Sequence, residues 1–140
     1  MLRYEVSTDP ARLDVMVVHR FLSEESYWSP GIPREVVERA IAGSIPFGLY
    51  APDGRQAGYA RAVTDGVTFA WIGDVFVLEE HRGRGLGTFL MEQVLAHPQL
   101  QGLRQITLRT ADAHRLYERF GFVTPPENDQ MVKAGAPYGD

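Results

Sequence analysis

At 140 residues and 15.7 kDa the chain has the length of one ordinary domain, which buries about two thirds of its unfolded surface. Apolar residues at 44% and charged residues at 23% set aside disorder, collagen-like sequence and coiled coil, and a net charge of −4 lacks the basic face that nucleic-acid binding needs. No apolar run approaches the roughly 20 residues that span a bilayer, Met1-Leu2-Arg3 leads straight into polar sequence, and cysteine is absent, so one domain over 1–140 in the cytoplasm is expected, away from membranes.

Tyr4 to Thr8 reads as a short strand, and Asp9-Pro10 supplies a cap and a first-turn proline for a helix running to about residue 23. Ser29-Pro30-Gly31-Ile32-Pro33 breaks the chain before a second helix from Pro33 to Ala42, with Gly43 at its C′ position. Ile45 to Tyr50, Gln56 to Thr64 and Val67 to Leu78 read as strands joined by Asp53-Gly54 and Asp65-Gly66, which suit hairpins. Leu86, Phe89, Leu90 and Val94 fall at helical spacing, Gln105 to Arg109 returns to a strand, and Ala113, Leu116, Tyr117 and Phe120 lie on one face of a helix over 111–120. Met131-Val132 is expected to close the sheet. The fold class is α/β with a mixed sheet, an antiparallel meander followed by a parallel strand-helix-strand crossover, flanked by helices.

The stretch from Asp74 to Thr88 leads from a strand into a helix with glycines at 83, 85 and 87 at the junction. Removing Cβ atoms where a helix begins lets backbone amides close on an anion. Arg82 and Arg84 add charge-assisted hydrogen bonds, each contributing about 1.5 to 3 kcal/mol, which suits a diphosphate. The competing reading is an arginine-rich loop whose glycines only turn the chain. Neither G-x-G-x-x-G nor a P-loop is present.

Arg82-Gly83-Arg84-Gly85-Leu86-Gly87 resembles the R-x-x-G-x-G motif of the GNAT superfamily of acyl-CoA N-acyltransferases. Ala113, Tyr117, Gly121 and Phe122 match that family's N-x-x-A-x-x-x-Y-x-x-x-G-F helix, with Thr110 in place of the asparagine. The resemblance implies acetyl-CoA as cosubstrate. Its pantetheine would lie along Phe76, Val77 and Leu78, its diphosphate on the amides from Arg82 through Leu86 to Gly87 with the Thr88 hydroxyl, and Thr110 and His114 beside the cofactor. It further implies that Tyr117, otherwise readable as core, protonates the departing thiolate, since a phenol of pKa about 10 is protonated at neutral pH.

An acceptor amine must also lose a proton, and Asp74 is a candidate base, with a structural ion pair as the equal alternative. Tyr27 and Trp28 are placed at the acceptor pocket, or else plug the first two helices. The four histidines have no metal-ligand spacing, so no metal is expected. The leading function is acetyl transfer to a primary amine of a small molecule in a ternary complex. A non-catalytic acyl-CoA-binding domain and a peptide acetyltransferase are the alternatives, and the oligomeric state, homodimer included, stays open.

Overall fold

The computed structural model describes residues 3–127 and 129–138. Five strands, β1 (Glu5–Ser7), β2 (Ile45–Tyr50), β3 (Gln56–Thr64), β4 (Phe69–Val77) and β5 (Gln105–Thr107), form one sheet in that order. The first four are antiparallel, and β5 runs parallel to β4 after a crossover. This is the expected mixed sheet. The helices are α1 (Val15–Arg20), α2 (Arg34–Ala42), α3 (Leu86–Leu95) and α4 (His114–Glu118).

Several boundaries differ from expectation, three of them where a side chain competes for backbone amides. Asp9 caps only a 3₁₀ turn, Pro10–Arg12, before Asp14 accepts from the Met16 and Val17 amides and starts α1 afresh. A π-helical turn, Phe21–Glu25, completes the stretch that was expected as one helix. Gly43 has φ −93° and is no left-handed C′ residue. Strand β4 starts at Phe69 because the Asp65 carboxylate gathers the amides of Val67, Thr68 and Phe69 and the Thr68 hydroxyl, bonds that hold its pKa far below the usual carboxylate range. Thr110 Oγ1 likewise accepts from Asp112 and Ala113, so α4 begins at His114 and not at Ala111. It ends where Gly121 (φ 91°) lets the Phe122 amide reach back to the Tyr117 carbonyl. The strand expected at Met131-Val132 does not form, and both side chains are exposed.

Two cores share the sheet. Phe47, Leu49, Ala60, Ala62, Ala70 and Ile72 pack against Leu86, Leu90, Met91 and Val94 of α3, while Tyr59 and Phe76 pack on the other face against α1 and α2. Ala70, Ile72 and Phe76 are an even number of residues apart, so regular alternation would place them on one face. The ladder slips between them: Tyr59 pairs with Phe76 but Arg61 with Gly73, leaving Ala60 opposite both Asp74 and Val75. Asp74 takes the extra turn at φ 53°, the one non-glycine with positive φ among the described residues. Phe76 thus faces the second core, where it stacks on Phe21 at 4.0 Å between centroids. Such a pair contributes about 0.5 to 1.5 kcal/mol beyond its burial.

Candidate active site

The parallel pairing covers only Phe69, Ala70 and Trp71 with Gln105, Ile106 and Thr107. Beyond Trp71 the two strands separate, and the gap opens into a cleft of about 570 Å³. Its walls are residues 71–75 of β4, 108–113 following β5, Tyr117 of α4, and Arg61, Tyr27 and Trp28. Strand ends that diverge in this way leave backbone groups unpaired and accessible, which suits a ligand that lies down as an extra strand.

The bulge carries Asp74 into the cleft, where both carboxylate oxygens are engaged. Arg61 Nε donates to Oδ2 at 2.6 Å and Trp28 Nε1 to Oδ1 at 2.9 Å. The pair is enclosed, with side-chain exposures of 19% for Arg61 and 9% for Asp74. Arg61 in turn lies over the Trp71 ring at 4.9 Å and donates from Nη1 to Ser44 Oγ at 2.9 Å. Trp71 folds flat across Gly73, a position where any Cβ would collide with the indole. Of the two readings of Asp74, the geometry displays the ion pair; each oxygen retains a lone pair for a further donor.

At the head of α3, Gly83 and Gly85 adopt left-handed φ of 81° and 75°, and no heavy atom lies within 4 Å of where their Cβ atoms would stand. Gly85 is the N-cap and brings no side chain to the first turn; the first helical bond is Phe89 to the Gly85 carbonyl. The amides of Leu86, Gly87 and Thr88 are therefore left to an outside acceptor, in the positive field of the helix end. Gly87 faces the Leu116 side chain, so α4 closes one side of this cradle. Arg84 donates to the Tyr4 hydroxyl at 3.1 Å, and Tyr4 also meets His81 Nδ1 at 2.8 Å, which ties the loop to the segment leading into β1. Arg82 Nε donates to the Val77 carbonyl at 2.8 Å, and the Leu78 amide is taken by the Ala57 carbonyl. A pantetheine pairing along Phe76, Val77 and Leu78 therefore displaces Arg82 at Val77 and gains nothing from the Leu78 amide. The open amides, the glycines without neighbours and the separated strand together fit an extended, anionic thioester.

Tyr117 is 8% exposed and lines the cleft. Burial, reinforced by Tyr27 and Asp112, pushes its pKa up to about 12. Tyr27 and Trp28 sit edge to face at 4.9 Å, with the Tyr27 hydroxyl accepting from the Ala111 amide at 2.9 Å. They bridge the α1 side of the molecule to the segment before α4, so their place is the cleft wall as well as the cover of Phe21, which Trp28 meets at 6.3 Å. His114 is exposed and is not among the residues lining the cleft.

A family model described as an acetyltransferase (GNAT) domain matches residues 46–124, more than half of the chain. The chain belongs to the GNAT acetyltransferase family. It is accordingly an acyl-CoA-dependent N-acyltransferase, and acetyl-CoA is the donor that family uses. A provisionally named acetyltransferase from Gibberella zeae is 35% identical over 135 residues, 81% of this chain and 75% of its own. The crystal structure of a provisionally assigned GNAT acetyltransferase from Xanthomonas campestris pv. campestris superimposes with a TM-score of 0.91 at 48% identity, covering 98% of this chain and 96% of that one. An aminoglycoside N-acetyltransferase in complex with CoA shares the fold, with a TM-score of 0.67 at 19% identity over 95% of this chain and 96% of that one.

Residues absent from the motif-based reading complete this GNAT site. Arg61, itself held by Ser44, anchors Asp74; Tyr59 lies beside Arg61 on β3; and Arg119, just past α4, donates to Thr88 Oγ1 at 3.4 Å, adding a cation near the amide cradle. Arg61 and Asp74 are directly bridged only because β3 and β4 pair antiparallel across the bulge, a proximity without a local signal. Arg119 carried one, since it lies one turn after Arg115, at the end of the helix that bears Tyr117. Tyr138 arrives from the C-terminal segment and lines a second, smaller cavity beside Asp74.

Proposed function

We propose that the chain transfers the acetyl group of acetyl-CoA to the primary amine of a small molecule, directly and within a ternary complex. The observation that carries this reading is the cleft at the β4–β5 separation, on which Asp74 and Tyr117 both open while the amide cradle heads the adjacent helix. The diphosphate rests on the amides of Leu86, Gly87 and Thr88, with Arg82, Arg84 and Arg119 supplying positive charge. The thioester supplies an electrophilic carbonyl; the amine nitrogen bonds to its carbon, the C–S bond breaks, and CoA leaves as a thiol.

Tyr117 donates a hydrogen bond to the sulfur as negative charge develops there. From a pKa of about 12, full transfer to a thiolate near 8.5 is uphill by about 3.5 units, or about 5 kcal/mol, so the phenol acts chiefly as a donor with water completing the protonation. Asp74, with one lone pair free on each oxygen, orients the acceptor ammonium, and its proton passes to water. Freeing the lone pair of a lysine-like amine costs about 4 to 5 kcal/mol at neutral pH, so turnover should climb with pH until the amine is deprotonated.

The test is release of free CoA from acetyl-CoA across a panel of amines, amino acids and peptides, with binding of acetyl-CoA followed separately by calorimetry. A primary amine that accelerates release and appears acetylated by mass spectrometry is the expected result. Acetyl-CoA binding without acceleration by any member would leave a binding module and overturn the transferase reading.

A further inference from the structure

A second cavity beside the cleft has a lining that, apart from Asp74, the reaction above does not use. It lies between α1, α2 and the adjoining face of β3 and β4, and holds about 70 Å³. Val18, Leu22, Ile32, Val37 and Ile41 give it an aliphatic wall, while Tyr59, Arg61 and Asp74 come from the sheet. A volume of that size suits small groups rather than a sugar or an aromatic ring.

The polar side of the cavity is unbalanced. Tyr59 is 1% exposed, and its buried hydroxyl has no hydrogen-bond partner. Burial raises its pKa, so the hydroxyl stays protonated and is a donor in need of an acceptor. Leaving such a group unmatched costs about 1 to 3 kcal/mol. Arg61, two residues along β3 on the same face, commits Nε to Asp74 and Nη1 to Ser44, and among the described residues Nη2 has no protein acceptor. Two residues lining one cavity, one with an unpartnered phenol and one with a guanidinium nitrogen to spare, match a carboxylate. Asp74 lines both this cavity and the large cleft, as Arg61 and Ser29 do, so a ligand held here reaches the place where the thioester arrives.

We propose that the acceptor is an α-amino acid with a short aliphatic side chain: its carboxylate meets Tyr59 Oη and Arg61 Nη2, its side chain enters the aliphatic wall, and its α-amine is presented at Asp74 to the cleft. This rests on the acetyl-transfer reading and names its substrate. The amine nitrogen bonds to the thioester carbon, the C–S bond breaks, one proton leaves nitrogen and one reaches sulfur, giving an N-acetyl amino acid and CoA.

The experiment compares valine with isobutylamine, which lacks the carboxylate, and with valinamide, which lacks its charge, in the native enzyme and in Tyr59→Phe and Arg61→Gln. Tyr59→Phe removes only a hydroxyl that has no protein partner, so its fold is retained. Valine should be used with a kcat/KM at least tenfold above both analogues. Each variant should raise KM for valine at least tenfold while leaving the calorimetric Kd for acetyl-CoA unchanged. Equal use of valine and isobutylamine, or a valine KM untouched by Tyr59→Phe, would mean that the cavity holds only water and would overturn the proposal. Acetyl-CoA binding with no amino acid consumed sinks the substrate assignment alone, and absence of acetyl-CoA binding sinks the transferase reading with it.

Discussion

Asp74 combines a backbone conformation and an ion pair in one residue, and three substitutions separate them. At φ 53° an L side chain is strained by about 1 to 2 kcal/mol, less for asparagine and aspartate and least for glycine. The Arg61 contact at 2.6 Å joins groups 19% and 9% exposed, so removing the carboxylate leaves a nearly buried guanidinium unpaired, a change that costs about 3 to 5 kcal/mol. Asp74→Asn keeps an oxygen for Arg61 Nε and tolerates the left-handed backbone, and should lose about 1 to 3 kcal/mol. Asp74→Gly relieves the backbone but loses the pair, for about 3 kcal/mol net. Asp74→Ala suffers both and should lose about 4 to 6 kcal/mol, a fall of about 10 to 20 °C in Tm for a chain of this size. Urea unfolding at pH 7 with a common m-value measures the order Asn, Gly, Ala from least to most destabilised. An alanine variant within about 1 kcal/mol of the native protein would show that neither strain nor the buried pair is as described.

The remaining expectations concern ligand, chemistry and pH. Acetyl-CoA at 100 times its Kd should stabilise the native protein by about 2.7 kcal/mol, raising Tm by about 5 to 10 °C, and Gly85→Glu, which puts a carboxylate at the amide cradle, should abolish that rise whatever its own starting Tm; an undiminished rise would remove the diphosphate from this loop. Tyr117→Phe should keep acetyl-CoA affinity while kcat falls at least tenfold, measured once an acceptor is in hand, and full turnover with chemistry rate-limiting would return the residue to the core. Because burial raises the Tyr117 pKa from about 10 to about 12, its contribution to stability is complete below pH 10 and is lost as pH rises towards 12; Tyr117→Phe should therefore flatten the alkaline limb of the unfolding free energy, and superimposable limbs would contradict the burial of this phenol.

The parts of this site that were legible in the sequence are those whose chemistry is local. Alternating glycines after a strand announce left-handed turns, and Gly83 and Gly85 make them; the four-residue spacing of Ala113, Tyr117 and Gly121 places a phenol on a helix face, and α4 does so despite being shorter than expected. Asp53-Gly54 and Asp65-Gly66 marked the hairpins that order β2, β3 and β4. What sequence reasoning missed depends on register. Nothing near Asp74 signals that Arg61 lies opposite, and a one-residue bulge changes the face of every side chain after it. The breaking of the first helix was also concealed: Asp9 was the one cap expected, whereas Asp14 gathers the Met16 and Val17 amides and starts a second helical segment. Tyr138 was out of reach for a simpler reason: its segment has no periodicity, and its place beside Asp74 follows from the path of the chain.

The extra residue at position 74 shifts the phase of β4, and that has a hereditary consequence. A carboxylate reaches the cleft beside Arg61 through the one-codon excess of β4 over β3. Losing codon 74 would restore regular alternation, leave the phenylalanine opposite Tyr59 on the same face, and remove the partner of Arg61 in a single event. The bulge therefore serves the carboxylate and not the core: a strand one residue shorter would present the same phenylalanine to Phe21 and lose the ion pair.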